Sequence, residues 1–310
     1  MQGRDLVSIH DLPRADLLEI LDLATGVKEN PGDHRTALPG RTLAMIFEKP
    51  SLRTRVSFEA GMTELGGHAI NLAPTEISMG RRESVPDVAR TLSGMVDGIM
   101  ARTFSHQAIV DLARHASVPV INGLSDREHP CQALADFLTI REVLGRIEGV
   151  KIAYVGDGNN VTHSLMDAAA KLGAHLSAAT PAGYDPDPAV VRRAREAAAA
   201  TGSRIEAGHA WEPAVEGADV VYTDTWASMG QEAEHDARVQ SFRPYQVNAA
   251  VMARARKGAV FMHCLPAHRG EEVTDEVIES KASVVFRQAE NRKHAQKAVL
   301  LLLLGARVGA

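Results

Sequence analysis

The sequence predicts an α/β protein of two doubly wound domains, each a parallel β-sheet flanked by helices. Two observations carry this. Short apolar runs alternate with helix-like stretches along most of the chain, and the turn Gly156-Asp157-Gly158-Asn159-Asn160 opens a second such series directly after a strand-like run. Alternation of this kind builds βαβ units and hence parallel strands. Length agrees, because 310 residues exceed one compact core and ~150 residues per domain is the ordinary expectation.

Taken in order, residues 17–24 read as helix, 42–47 as strand, 55–65 as helix, 98–101 and 118–121 as strands, and 132–144 as helix. The first domain is expected to span 1–146. The second, 147–290, starts with the strand 151–155 and an alanine-rich helix over 164–172. It continues with strand 175–179, helix 188–200, strands 220–223 and 260–263, and a late strand 284–286. Residues 227–245 are polar and contain Gly230 and Pro244, so they read as a long loop with short helical pieces, the kind tied to function. The tail from 291 to 304 reads as a final helix, and the segment 291–310 is assigned to the first domain, against which that helix packs back.

Composition excludes several classes. A hydrophobic share of 45% with 24% charged residues is ordinary for a globular chain and argues against disorder. A formal charge of -5 leaves no broad basic surface, so nucleic acid is not an expected partner and any phosphate site is local. The two cysteines, Cys131 and Cys264, are too few for a disulfide scaffold and fit a reducing compartment. Acidic residues near the start stand where a signal peptide needs an apolar run, so a cytoplasmic location is expected. The most apolar tract, 298–304, is seven residues long, against about 20 for a membrane span; it reads as a buried helix end.

Ligands of open parallel sheets bind beyond the carboxyl ends of strands, so motifs that directly follow strands matter most. After the strand 42–47, Pro50 and Ser51 are placed to start a helix with Ser51 as N-cap. Unpaired backbone N–H groups there, the hydroxyls of Ser51 and Thr54 and the guanidinium groups of Arg53 and Arg55 together match a phosphate dianion. A capped helix with two solvated arginines is the plainer alternative. Arg102 follows the strand 98–101, and His129-Pro130-Cys131-Gln132 opens a helix. Such donors can stabilise negative charge developing on a carbonyl oxygen, although His129 as N-cap and Pro130 as first helical residue would also suffice structurally.

Ser51-Leu52-Arg53-Thr54-Arg55 resembles the carbamoyl phosphate signature of the aspartate and ornithine carbamoyltransferase family, whose usual form has Thr where Leu52 stands. The side chain of Leu52 is the one least expected to touch phosphate. The resemblance runs over nearly the whole chain. It implies that Ser51, Leu52, Arg53, Thr54 and Arg55 bind carbamoyl phosphate, that Arg102, His129 and Gln132 hold its carbamoyl group, and that Arg292 of Glu290-Asn291-Arg292 also reaches that group. Residues 79–84 fall where the family has a loop shaping a neighbouring subunit's site, with Ser78 in place of a longer polar residue.

The turn Gly156-Asp157-Gly158-Asn159-Asn160 lacks dinucleotide-fingerprint spacing, since Val161 stands at the third glycine position. The resemblance instead implies that Asn160 contacts the α-amino acid end of L-ornithine. Asp224 ends the strand 220–223 and leads into Ser228-Met229-Gly230, which matches the family's ornithine-binding loop. His263-Cys264-Leu265-Pro266, with His268 nearby, raises a metal reading, but a structural zinc needs four ligands and no second Cys/His cluster of suitable spacing exists. The resemblance places Cys264 and Leu265 by the side-chain amine and implies a cis Leu265-Pro266 bond.

The implied activity is carbamoyl transfer from carbamoyl phosphate to the δ-amine of L-ornithine, giving L-citrulline and phosphate, with Arg102, His129, Asp224 and Cys264 as catalytic residues. No cofactor and no metal are expected, and the family implies a homo-oligomer built on trimers. The alternatives are a carbamoyltransferase for putrescine, N-acetylornithine or aspartate and, from another class, a nucleotide-binding oxidoreductase.

Overall fold

In the computed structural model the described residues are 1, 3–80, 82–227 and 232–305, with the side chains of 74 and 232 left aside. They form two compact units, Met1–Leu138 with Glu290–Ala310, and Thr139–Ala289. The divisions fall inside the helices Pro130–Leu144 and Val285–Leu304.

The first unit holds β1 (Thr42–Phe47), β2 (His68–Leu72), β3 (Gly98–Arg102) and β4 (Val120–Leu124), all parallel, in the order β2-β1-β3-β4. β1 and β3 are central and buried on both faces, which is why Thr42-Leu-Ala-Met-Ile-Phe47 reads as a continuous apolar run. β2 is an edge strand and half exposed. The final helix, Val285–Leu304, binds this unit through its later turns. Lys293 and Lys297 donate to the Glu64 carboxylate at 2.7 and 2.9 Å, and Leu304 lies so close to Gly98 that a Cβ there would meet Leu304 Cδ2 at 2.7 Å.

The second unit holds β5 (Lys151–Val155), β6 (His175–Ala179), β7 (Ile205–Gly208), β8 (Val220–Thr223) and β9 (Val260–His263), parallel in the order β7-β6-β5-β8-β9. Its core joins Ala153, Val155, Val221 and Phe261 to Val251 and Val277 from the surrounding helices and to Val247, which bridges to Val273. The helix Asn160–Leu172 starts at Asn159, whose Oδ1 accepts from the N–H groups of Val161 and Thr162, and it stops at the left-handed Gly173.

In both sheets the chain first winds one way and then returns to the other side. The reversal lies between β1 and β3 in the first unit and between β5 and β8 in the second. Crevices beyond the carboxyl ends of strands at such switch points are where open α/β sheets bind ligands.

One expected element is corrected. Residues 284–286 are not a strand: Val285 begins the helix Val285–Leu304, and only Ser283 and Val284 touch β9, through a bridge to Phe261 and a Val284 N–H to Phe261 carbonyl bond of 3.0 Å. Three apolar residues at a helix start are indistinguishable by periodicity from a short buried strand. The stretch after 231 forms two single-turn 3-10 helices, Glu232–Glu234 and Arg243–Tyr245, around the α-helix His235–Phe242.

Candidate active site

At the switch point of the first unit, the backbone of β1 and β3 brings two motifs together. Phe47 is paired with Arg102 in register, Glu48 N–H donates to the Arg102 carbonyl at 2.9 Å, and Phe104 N–H donates to Glu48 Oε2 at 2.8 Å. These bonds tie the exit of β1 to the exit of β3. Ser51, in extended conformation, caps the helix Leu52–Glu64: its Oγ accepts from Thr54 N–H at 3.3 Å and donates to Thr54 Oγ1 at 3.0 Å.

A buried network then converges on Thr54. Arg292, from the final helix, donates through Nη1 to Gln132 Oε1 at 2.7 Å and through Nη2 to Thr54 Oγ1 at 3.3 Å. Gln132 Nε2 donates to Asp136 at 2.8 Å, which fixes the amide with its oxygen toward Arg292. With its own amide oxygen turned to Arg292, Gln296 accepts from Nε and Nη2 at 3.3 and 3.0 Å while its amide nitrogen donates to Ser57 Oγ at 2.5 Å. Thr54, Arg102, His129, Gln132 and Arg292 are all buried.

Burial, and then the positive fields of Arg292, Arg102 and Arg53, hold the pKa of His129 well below its ordinary value. His129 is therefore a neutral imidazole set among three guanidinium groups. A site so rich in buried cations is organised for an anion. Cys131, the second residue of the helix Pro130–Leu144 that follows His129, has its thiol pushed up to about 11 by burial and is chemically inert.

Two members of the signature point elsewhere. Leu52 is 74% exposed, and Arg55 lies on the open side of the helix, where its Nε donates to Glu59 at 2.9 Å. Ser78 has a positive φ of 45°, in a tight turn closed by Arg82 N–H to the Ser78 carbonyl at 2.9 Å and Gly80 N–H to the Glu83 carbonyl at 2.8 Å. Arg81 lies outside the described residues.

At the second unit's switch point, Asp224 is the hub. Its Oδ2 accepts from Asn159 Nδ2 at 2.8 Å, and its Oδ1 accepts from Thr225 N–H and from the Cys264 thiol, each at 2.8 Å. Three neighbouring carboxyl ends thus meet at one carboxylate: the turn after β5, the end of β8 and the end of β9. Gly158 is required in that turn because a Cβ would sit 2.2 Å from the Pro186 nitrogen. Asn160 follows at half-burial as the first helical residue.

His263 Nδ1 accepts from Leu265 N–H at 2.8 Å, so its proton sits on Nε2 and is donated to Glu272 Oε1 at 3.0 Å. Although Asp224, His263 and Cys264 offer ligand atoms within 4.8 Å of one another, both His263 nitrogens are thereby engaged. Leu265 has a φ of 59° and precedes a cis Leu265-Pro266 bond, as expected. Non-glycine residues held at positive φ cluster at ligand sites. Ser228, Met229 and Gly230 lie outside the described residues.

Reading the sequence missed Asn159, Asp136, Gln296, Glu272 and the Asp157–Arg238 pair, bonded at 3.0 Å. Asp136 and Gln296 carried a local signal, standing four residues after Gln132 and Arg292, each pair on one helix face.

A parallel sheet whose switch point joins a Ser-capped helix start to buried Arg and neutral His defines an α/β protein with an anion-binding site. The family models agree: "Aspartate/ornithine carbamoyltransferase, carbamoyl-P binding domain" matches residues 4–142, and "Aspartate/ornithine carbamoyltransferase, Asp/Orn binding domain" matches residues 148–303. The chain belongs to the aspartate/ornithine carbamoyltransferase family. Among curated relatives, the ornithine carbamoyltransferase of Thermococcus kodakarensis is 56% identical over 98% of this chain and 98% of that one. That of Anoxybacillus flavithermus is 53% identical over the same shares. The solved ornithine carbamoyltransferase of Pyrococcus furiosus superposes with a TM-score of 0.95 at 55% identity, covering 98% of this chain and 97% of that one.

Proposed function

We propose that the chain transfers the carbamoyl group of carbamoyl phosphate to the δ-amine of L-ornithine, giving L-citrulline and phosphate, in arginine biosynthesis. The observation that carries this reading is the convergence of Arg292, Arg102 and Arg53 on neutral His129 beside a Ser-capped helix start. Residues 1–146 with 291–310 are read as the carbamoyl phosphate-binding domain, and 147–290 as the ornithine-binding domain. The high identity to relatives named for ornithine, spread over nearly the full chain, favours ornithine over other amines.

The chemistry needs a neutral amine and a stabilised oxyanion. An alkylamine resembles lysine, with pKa about 10.4, so near neutral pH roughly one molecule in a thousand is unprotonated. Asp224, held by Asn159 and the Cys264 thiol, orients that amine as the ammonium gives its first proton to solvent, with Leu265 contacting the amine and Asn160, Ser228 and Met229 binding the α-amino acid end. The nitrogen lone pair attacks the carbamoyl carbon. Thr54, Arg102 and His129 then donate to the oxyanion while Gln132 and Arg292 hold the carbamoyl group. The C–O bond to phosphate breaks, the departing phosphate takes the second proton shed by the attacking nitrogen, and Ser51, Arg53, Thr54 and the helix-start N–H groups, Leu52 among them, retain the leaving charge; Arg55 can join them only by leaving Glu59.

We further assign a cytoplasmic homotrimer without nucleic-acid or membrane partners; no described helix is long and apolar enough to cross a membrane. Purified protein supplied with carbamoyl phosphate and ornithine, putrescine, N-acetylornithine or aspartate in turn should release phosphate fastest with ornithine. A faster rate with another amine would reassign the substrate, and unaltered carbamoyl phosphate affinity in Arg53→Gly would remove the phosphate site from this helix.

A further inference from the structure

Beyond the substrate site, and independent of it, the second unit carries a cluster that no step of the reaction uses. The turn following the cis-proline places His268, Glu271 and Glu272 together, with ligand atoms all within 4.8 Å of one another. Glu271 Oε2 lies 3.8 Å from His268 Nδ1 and 3.2 Å from His235 Nε2, so one carboxylate stands between two imidazoles. His235 opens the helix His235–Phe242.

The decisive feature is Glu272. Its side chain is completely buried. Oε1 is satisfied, accepting from His263 Nε2 at 3.0 Å and from His268 N–H at 2.6 Å. Oε2 has no hydrogen-bond partner among the described residues, and it faces the cluster, 4.0 Å from His268 Nδ1. His263 is a neutral donor, because its Nδ1 accepts from Leu265 N–H. A buried carboxylate oxygen without a donor is an open ligand atom facing the cluster.

We propose that His235, His268, Glu271 and Glu272 form a binding site for one first-row transition-metal dication, Zn²⁺ being the best fit. Two imidazoles and two carboxylates are a sufficient tetrahedral set for Zn²⁺. Ligand atoms around such an ion lie ~3.4 Å apart, so His268, Glu271 and Glu272, within 4.8 Å of one another, must close by up to about 1.4 Å, while the half-exposed imidazole of His235, already 3.2 Å from Glu271, turns in to complete the set. The turn is already held for the purpose: Gln246 Nε2 donates to the carbonyls of Gly270 and Glu271, both at 2.8 Å. Glu272 is oriented by His263 and the His268 backbone, as ligating carboxylates usually are by outer hydrogen bonds. The ion clamps the 268–272 turn to the first turn of the His235–Phe242 helix. Any proton on either imidazole is released when it binds.

The test uses the full chain carrying Cys264→Ser, so that no thiolate at Asp224 competes for the probe. After chelator treatment, Zn²⁺ is titrated by calorimetry and Co²⁺ by visible absorption. One ion per chain is expected, with a tetrahedral Co²⁺ spectrum and a melting temperature several degrees higher with Zn²⁺. His268→Ala and Glu271→Gln, each in the same background, should weaken binding at least tenfold while the metal-free melting temperature and circular dichroism stay those of the parent. Glu271→Gln keeps the side-chain volume, so it remains informative if His268→Ala folds poorly. Absence of binding in the Cys264→Ser parent, or undiminished binding in Glu271→Gln, would overturn the site and leave the cluster as imidazole–carboxylate ion pairs.

Discussion

Asp224 and His129 work by opposite means, one through accepted hydrogen bonds and the other through enforced neutrality. Asp224 takes donors from Asn159, Thr225 and Cys264. An asparagine in its place would turn an N–H₂ group toward one of these donors, so Asp224→Asn is expected to lower kcat by about 10²–10⁴. The rise in melting temperature on adding carbamoyl phosphate should persist, because the residues assigned to that ligand lie in the other unit. Comparing kcat with that ligand-induced shift separates a local defect from general misfolding. His129 is held neutral by burial first and by Arg292, Arg102 and Arg53 after it, so it donates one N–H without titrating near neutrality. His129→Asn keeps a donor at shorter reach and should cost ~10²–10³ in kcat. The kcat–pH profile of the native enzyme should show no inflection between pH 5.5 and 8 that this substitution removes; such an inflection would make His129 a proton carrier instead.

At the level of elements, the Asp157–Arg238 pair joins the turn after β5 to the helix His235–Phe242. Burial outweighs Arg238 and raises the Asp157 carboxyl from 3.8 to about 6. Between those pH values the folded chain holds the proton more tightly than the unfolded chain, so stability falls as pH rises through this window, reversing the usual carboxylate trend. Asp157→Asn does not titrate. Its stability relative to the native chain should therefore improve by about 2 kcal/mol from pH 4 to pH 6.5, as read from urea midpoints at each pH; a flat difference would mean the pair stays ionised throughout. The same elements show what was readable in advance. β1, β3, β5, β8 and β9 are buried and appear as apolar runs, and β6 is as buried although Ser177 interrupts its run. β2 and β7 are edge strands, half open to water, and His68-Ala-Ile-Asn-Leu72 and Ile205-Glu-Ala-Gly208 carry no such run. Within the site, the anion-binding hydroxyls and guanidiniums were legible because they sit together in one short motif. Asn159 was not, since its partner Asp224 lies 65 positions away, just as Arg292 meets Gln132 from 160 positions away; Asp136 and Gln296 stand four residues from Gln132 and Arg292, but that spacing shows a role only once folding joins those two partners.

For the whole molecule, the exposed apolar surface of the first unit bears on assembly. Leu52 and Val56, one turn apart on the helix Leu52–Glu64, are 74% and 53% exposed, and Ile70 on the edge strand β2 is 39% exposed. Fully covering side chains of this kind gains about 1.5–3 kcal/mol each. They cannot make an interface alone, since stable interfaces bury about 1,200–2,000 Å² in total, but apolar anchors at the centre of a larger polar patch are where association energy concentrates. Leu52 also belongs to the phosphate motif: the helix that offers it outward is the one capped by Ser51 and carrying Arg53 and Thr54. If the proposed trimer covers this face, Leu52→Glu with Val56→Glu buries two carboxylates per contact and should reduce the mass in light scattering from three chains to one. Because the substitutions face outward, each chain should keep its circular dichroism, while kcat falls with the loss of assembly. An unchanged mass for the double variant would place the interface on another face, and a native chain that scatters as a monomer at micromolar concentration would remove the trimer altogether.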